Sequence, residues 1–385
     1  MRCTPEARSA ALRSIDERQL RRRRSPAEDG RVNFCSNDYL GLARDPGVTA
    51  AMAEAAQRYG AGAGASHLVS GHGAEHEALE RELAEFTGRA RALVFSTGYM
   101  ANLGVLGALA GRDDLLLGDE LNHASLIDAA RLVRSTHLQR YAHGDAAAAR
   151  AALAALAAYD AHDAQAAGAF LITDGVFSMD GDLAPLPALA DAARAHGAWL
   201  VVDDAHGFGV VGATGGGCCE HFGLDARDVP VLIGTFGKAL GTFGAFVAGD
   251  EDIIELLIQR ARTYIYTTAL PPPVAAATRR ALRIVREEPW RRESLQARIA
   301  EFREGAAKRG LPVTPSTTPI QPLILGSPAA ALEASRRLAA AGHRVTAIRP
   351  PTVPAGTARL RVTLSAAHTA QQVDSLLAAL EAALS

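Results

Sequence analysis

Ala198-Trp199-Leu200-Val201-Val202-Asp203-Asp204-Ala205-His206-Gly207 is a short apolar run that ends abruptly in acid. Bulky and β-branched side chains in so short a run suit a buried strand. Similar runs lie on either side of it between about residue 90 and residue 250: Ala92 to Phe95, Leu115 to Leu117, Phe170 to Thr173, Val231 to Gly234 and Ala245 to Val247. Alanine-rich helical stretches separate them, and the tract 145–167, mostly alanine, reads as one more helix. Strands alternating with helices predict an α/β domain built on a largely parallel sheet. Beyond Pro271-Pro272-Pro273 the pattern changes to long helices with β-like runs at Ile320 to Leu325, Arg344 to Ile348 and Arg359 to Leu364, a smaller α+β domain. The expected division is therefore an N-terminal arm and helix over 1–45, a large α/β domain over 46–270 and a small domain over 271–385, with no internal repeat.

An open parallel sheet binds ligands beyond the carboxyl ends of its strands. The residues just after each run are Ser96-Thr97-Gly98-Tyr99-Met100, Asp174 to Asp182, Asp203 to Gly207, and Thr235 to Lys238. Lys238 is one of only two lysines among 40 basic residues, the other being Lys308, and it sits in the glycine-flanked stretch Gly234 to Gly241. Where a chain otherwise writes arginine, a retained lysine points to the amine itself. Arginine stays protonated and forms no imine, whereas a lysine in apolar surroundings loses its proton and becomes a nucleophile. The plain alternative is a surface lysine in a glycine loop.

An acid at one strand end and an imine-forming lysine after a later strand are what pyridoxal phosphate requires: the carboxylate keeps the ring nitrogen protonated and the lysine holds the aldehyde. Asp203 is the candidate acid, with a helix cap or turn acid as its ordinary alternative; Asp204 points the other way if the strand continues, because side chains alternate. His206 is placed to reach the cofactor's phenolic oxygen and His123, in Leu121 to Ser125, to stack on its ring, although a single histidine near a strand end is often only structural. Gly98 and Tyr99 open a predicted helix whose amides suit a phosphate.

The remaining composition narrows the class. At 385 residues and 48% hydrophobic content the chain buries a sizeable core. A net charge of -2 gives no overall field for nucleic acid or an anionic membrane. Cys3, Cys35, Cys218 and Cys219 form no metal-binding spacing, so no metal is expected and the thiols are expected reduced. The N-terminus lacks the apolar core of a signal peptide and no stretch is long enough to span a bilayer, which predicts a cytoplasmic protein. The run Arg21 to Arg24 follows a helical segment from Arg8 to Leu20 and is either a solvated helix end or a local anion site.

Five ordered motifs, Asn37-Asp38-Tyr39-Leu40-Gly41, Gly175-Val176-Phe177-Ser178-Met179-Asp180-Gly181-Asp182, Val202 to Gly207, Thr235-Phe236-Gly237-Lys238 and Pro351-Thr352-Val353-Pro354, together resemble the α-oxoamine synthases. These are pyridoxal phosphate enzymes of the aspartate-aminotransferase fold type, fold type I, and the resemblance runs from about Leu20 to the C-terminus. The segment Ala347 to Arg361 is similar to the branch of biotin synthesis rather than to the glycine-using branches. The resemblance implies a homodimeric acyltransferase that condenses L-alanine with a pimeloyl thioester, on CoA or a carrier protein. It implies that Lys238 carries the cofactor, Asp203 pairs with its ring nitrogen, His206 and Ser178 approach its phenolic oxygen and His123 stacks on the ring. Gly98, Tyr99 and Thr235 match phosphate positions, and Thr267 or Thr268 a phosphate contact across the dimer interface. Asn37 and Arg361 match the holders of the amino-acid carboxylate; Arg21 and Thr352 match substrate contacts. His67-Leu68 and Thr242-Phe243 depart from the family's usual forms, and the difference is expected to bear on the acyl pocket rather than the cofactor. Two alternatives stand beside this: a sibling synthase using glycine or another acyl-CoA, and a non-catalytic aminotransferase-like sensing domain, against which the presence of Lys238 and Asp203 speaks. Cys218-Cys219 suggests no chemistry.

Overall fold

The computed structural model describes residues 4–22, 24, 26, 30–160 and 168–385, so Cys3, Arg23 and the last part of the alanine tract, 161–167, lie outside the described residues. The chain forms two compact units, one of 38–178 with 182–292, the other of the two chain ends up to 37 and from 293 together with 179–181. The strands in chain order are β1 Val32–Asn33, β2 Arg91–Phe95, β3 Leu115–Asp119, β4 His137–Tyr141, β5 Ala169–Asp174, β6 Trp199–Asp203, β7 Val231–Thr235, β8 Ala245–Gly249, β9 Ile320–Gly326, β10 His343–Arg344, β11 Thr346–Ile348 and β12 Ala358–Thr363.

In the first unit the strands form one seven-stranded sheet of order β2-β8-β7-β6-β5-β3-β4. β8 is antiparallel to both neighbours and every other pair is parallel. All six expected strands are present, because strands buried on both faces must be apolar throughout and so announce themselves as continuous runs. β4, His137-Leu138-Gln139-Arg140-Tyr141, escaped notice because it is an edge strand with its three central residues exposed. The topology sets the carboxyl ends of β3, β5, β6 and β7 along one edge, with Asp174 of β5 and Asp203 of β6 as direct partners.

The helix Gly98–Leu109 lies against this sheet and is apolar almost all round, as a buried helix should be. Its Val105 and Leu106 join Phe95, Ile233 and Val247 in one core, each large side chain contributing about 1.5–3 kcal/mol by burial. Asn102 is the one amide buried in that helix, and it needs a reason to be there. The helix Pro272–Glu287 begins with two prolines in its first turn, where a missing N–H costs nothing, and Arg279 ties it to Glu75 and Glu82 of the helix Ala74–Thr87.

The second unit has an antiparallel sheet of order β11-β12-β9, covered by the helix Pro328–Ala340, against which the helix Ala370–Leu384 packs. A short parallel pair joins β1 to β10. The N-terminal helix runs from Pro5 to Glu17, earlier at both ends than the apolar pattern predicts, because the Thr4 side chain caps it by accepting from the Ala7 amide. Among the described residues no helix is long and apolar enough to cross a membrane, and no group of His, Cys, Asp and Glu is placed to hold a metal ion.

Candidate active site

Asp203 is the last residue of β6 and is buried, with one carboxylate oxygen accepting from Asn102 Nδ2 at 2.7 Å and the other from the Ala205 amide at 3.0 Å. The Asn102 amide group also donates to Ser125 Oγ at 2.7 Å, and Ser125 Oγ meets His123 Nδ1 at 2.6 Å. His123 caps the helix Ala124–Val133, and its backbone N–H donates to Asp174 Oδ2 at 2.6 Å. The result is a closed chain of polar groups from Asp203 through Asn102, Ser125 and His123 to Asp174, back at the neighbouring strand end. His123 Nδ1 accepts from the Ser125 amide at 3.3 Å, so the serine hydroxyl, which accepts from Asn102, donates onward to the same nitrogen. Nδ1 is therefore the acceptor, and the imidazole proton belongs on Nε2.

Burial lowers the affinity of His123 for a second proton, and the charge of Lys238 adds to this while Asp203 opposes it. Burial raises the Asp174 carboxyl well above the ordinary range, and the adjacent Asp203 pushes in the same direction. Two buried acids side by side, with Asn102 Oδ1 also buried and without a partner, make an environment that favours an added cation or donor.

Asp204 serves a different side. Its Oδ2 accepts from the Cys218 amide at 2.7 Å, and burial pushes its carboxyl up to about 7. A Cβ at Gly217 would stand 1.9 Å from that oxygen and one at Gly207 would stand 2.2 Å from Oδ1, so glycine is required at both. Cys218 thus contributes a backbone N–H, while burial raises both its thiol and that of Cys219, the latter to about 12, leaving them unreactive.

His206 is buried with Nδ1 against the Tyr39 hydroxyl at 2.6 Å. Lys238 follows β7, half-buried, and its charge reaches both His123 and Asp174. Thr235 Oγ1 donates to the Gly244 carbonyl at 2.9 Å and accepts from Gly237 N at 3.4 Å, which closes the loop that carries the lysine. Gly98 and Tyr99 open a helix capped by Thr97 Oγ1, at the end where the helix dipole favours an anion. The Tyr99 hydroxyl turns to Asp128. Thr268 lies beside this turn, its carbonyl accepting from Ser96 Oγ at 3.5 Å; Thr267, next to it, and Ser178, after β5, are half-buried.

In the other unit, buried Arg361 donates to Asn37 Oδ1 at 3.2 Å and to Thr363 Oγ1 at 2.9 Å. Arg21 pairs with Asp16 at 2.6 Å, and Thr352 Oγ1 accepts from Arg22 at 2.9 Å. Arg349 donates to the carbonyls of Gln19 and Arg21. Arg21, Arg349 and Asp16 line a cavity of about 510 Å³ in this unit.

Four participants went unpredicted: Asn102, Ser125, Asp174 and Tyr39. Each left a signal, since Asn102 is a lone amide in an apolar helix, Asp174 follows its run as Asp203 follows its own, and Ser125 and Tyr39 lie inside segments already singled out.

Residues 29–380 match the family model for aminotransferase class I and II. The 8-amino-7-oxononanoate synthase of Methylococcus capsulatus is 62% identical over 350 residues, covering 91% of this chain and 88% of its own. That of Cellvibrio japonicus is 59% identical over 344 residues, 89% of this chain and 84% of its own. The chain belongs to the 8-amino-7-oxononanoate synthases. The solved structure of a Francisella tularensis member is 32% identical with a TM-score of 0.77, covering 92% of this chain and 98% of its own. A serine palmitoyltransferase from S. paucimobilis with a bound PLP–myriocin aldimine has the higher TM-score, 0.88, at 30% identity over 99% of this chain and 98% of its own. Backbone shape is shared across that wider group, so the much higher sequence identity assigns the branch. Like its relatives, this synthase is a pyridoxal phosphate-dependent acyltransferase of the aspartate-aminotransferase fold type.

Proposed function

We propose that the enzyme condenses L-alanine with a pimeloyl thioester, forming 8-amino-7-oxononanoate and releasing carbon dioxide and the thiol, with CoA or a carrier protein as the thiol. The observation that carries this reading is the buried chain from Asp203 through Asn102 and Ser125 to His123, within reach of the Lys238 charge. A protonated pyridine nitrogen is the cation that the Asp203 and Asp174 pair favours, and the helix beginning at Gly98 suits its phosphate. When bound, pyridoxal phosphate supplies the electron sink for charge developing at the alanine Cα.

The protein's own groups do the rest. Asp203, locked by Asn102 and the Ala205 amide, holds the proton on the ring nitrogen. Lys238 binds the cofactor at rest, takes the proton from the alanine Cα, and returns one to that carbon after carbon dioxide leaves. His123, its proton on Nε2, would stack on the cofactor ring and donate to the acyl oxygen as charge grows there, an effect of about 2–4 kcal/mol. Tyr39 sets His206, which with Ser178 would hold the phenolic oxygen; Thr235 and the amides of Gly98 and Tyr99 would hold the phosphate. Arg361, set by Asn37 and Thr363, receives the alanine carboxylate, while Arg21 and Thr352 meet the acyl donor. The same reading takes a homodimer in the cytoplasm, with Thr267 or Thr268 reaching the partner's phosphate; the free thiols of Cys35, Cys218 and Cys219 suit a reducing compartment.

The test is thiol release with alanine or glycine against pimeloyl-, succinyl- and acetyl-CoA. Alanine with pimeloyl-CoA should be the preferred pair. Preference for glycine, or for succinyl- or acetyl-CoA, would assign the chain to a sibling activity.

A further inference from the structure

His143 has no place in the chemistry above, yet both its ring nitrogens face carboxylates: Nδ1 lies 3.1 Å from Asp119 Oδ1 and Nε2 lies 2.9 Å from Asp182 Oδ2. A neutral imidazole has one N–H and would turn a lone pair on the other acid, so this geometry calls for the imidazolium. The two acids hold its proton up to about pH 10.

Each acid organises a different loop. Asp119 ends β3 and is buried, accepting also from the amides of Leu121 and Gly144, both at 2.8 Å. The loop it starts carries Asn122, whose side chain grips the Ile172 carbonyl and the Asp174 amide, and then His123. On the other side, the Asp182 carbonyl accepts from the Phe177 amide at 3.0 Å, closing the turn that carries Ser178. The Phe177 ring meets the imidazole edge-on with centroids 4.3 Å apart and packs it on one side.

We propose that His143 is a positioning residue that ties the His123 loop to the Ser178 turn, so that both side chains are delivered together to the cofactor. This rests on the reading that His123 and Ser178 face pyridoxal phosphate. It assigns to an apparently structural histidine an influence on cofactor affinity and turnover, exerted without contact with either substrate.

The experiment uses holoenzyme carrying His143→Ala or His143→Gln, measuring the pyridoxal phosphate dissociation constant by fluorescence, kcat, KM for alanine and the thermal midpoint. For His143→Ala we expect kcat to fall roughly 10- to 100-fold and cofactor affinity roughly tenfold, with KM for alanine changing less than about threefold. Added imidazole should restore both affinity and kcat, whereas pyrazole, an isomeric ring whose adjacent nitrogens stay neutral and cannot bridge the two acids, should not. His143→Gln, which offers a single donor group, should lie between wild type and alanine. Equal rescue by the two rings, or a lower melting point with unchanged cofactor affinity and kcat, would overturn the proposal. Ser178→Ala and His123→Ala separate the two levels. If they weaken cofactor binding and His143→Ala does not, the bridge is wrong; if they leave it unchanged, the site reading beneath the bridge is wrong.

Discussion

At the end of β6, Asp203 is buried with each oxygen taken by a fixed donor, while the Arg21 guanidinium in the other unit is about half exposed and pairs with Asp16. The first arrangement is expensive to disturb, because a buried polar group left without its partner costs about 1–3 kcal/mol. The second is cheap, since exposed ion pairs contribute about 0–1 kcal/mol and re-form readily. Charge divides along the same line: by sequence the unit holding Asp203 has 21 basic and 30 acidic residues, and the unit holding Arg21 has 19 and 12. A rigid, acid-rich cluster suits a bound cation and a reaction that must not be solvated; an arginine-rich, adaptable surface suits the capture of an anionic substrate.

If that contrast is right, the largest losses belong to the rigid cluster. Lys238→Ala should reduce turnover by at least about 10³-fold, since it removes the group proposed to move the Cα proton. Borohydride reduction and peptide mapping should label Lys238; a label on Lys308 instead would place the chemistry outside the cluster altogether. Asp203→Asn should slow proton exchange at the alanine Cα by about 10²-fold, because a neutral amide no longer supports a protonated ring nitrogen. Asp204→Asn keeps an oxygen for the Cys218 amide and should change exchange less than about threefold. Equal damage from the two substitutions would erase the distinction between the sides of this strand end.

The cluster's backbone was legible because burial forces a simple code: two-sided strands are apolar runs, and polar residues directly after them stand at the sheet's carboxyl edge. Asp203, His206 and Lys238 could be found that way. Asn102 could not be assigned, although visible as a lone amide, since its partners come from β6 and the helix Ala124–Val133, elements far away in sequence. β4 was hidden by its exposed edge position, and the link from Tyr39 to His206 by a separation of 167 residues. In the arginine-rich unit the run at Arg21 was obvious, but which arginine meets Asp16, Thr352 or a carbonyl depends on how a non-helical segment turns after Glu17, where Gln19 has a positive φ of 56°.

Arg21→Ala sharpens the comparison from the adaptable side. If Arg21 makes a charge-assisted contact with the acyl chain's free carboxylate, as proposed, its loss should weaken pimeloyl-CoA by about 1.5–3 kcal/mol, roughly 10- to 150-fold, while alanine binding barely changes. Preference over heptanoyl-CoA, equal in length but without the terminal charge, should shrink in the same variant. A uniform loss for both donors would reassign Arg21 to the thiol carrier or to the fold.

The smallest effect comes from a buried acid away from the strand-end cluster, and it tests whether burial of a carboxyl is enough to imply chemistry. Glu80 accepts from the Val94 amide at 2.9 Å, and burial together with nearby Glu77 pushes its carboxyl up to about 8, against the opposing charge of Arg91; His72 Nε2 is 4.0 Å away. A raised carboxyl binds its proton more tightly in the folded protein, so its stabilising effect is complete below the unfolded value near 4.5 and is lost as pH rises through about 8. Glu80→Gln keeps an oxygen for Val94 and removes the titration. The variant's melting point should therefore fall less than that of wild type between pH 5 and pH 8.5, by about 2 °C or more, with thiol release unchanged at pH 7. If turnover dropped as it should for Asp203→Asn, buried acids throughout this unit would act on the chemistry, and the contrast drawn from the strand ends would have to be redrawn around burial alone.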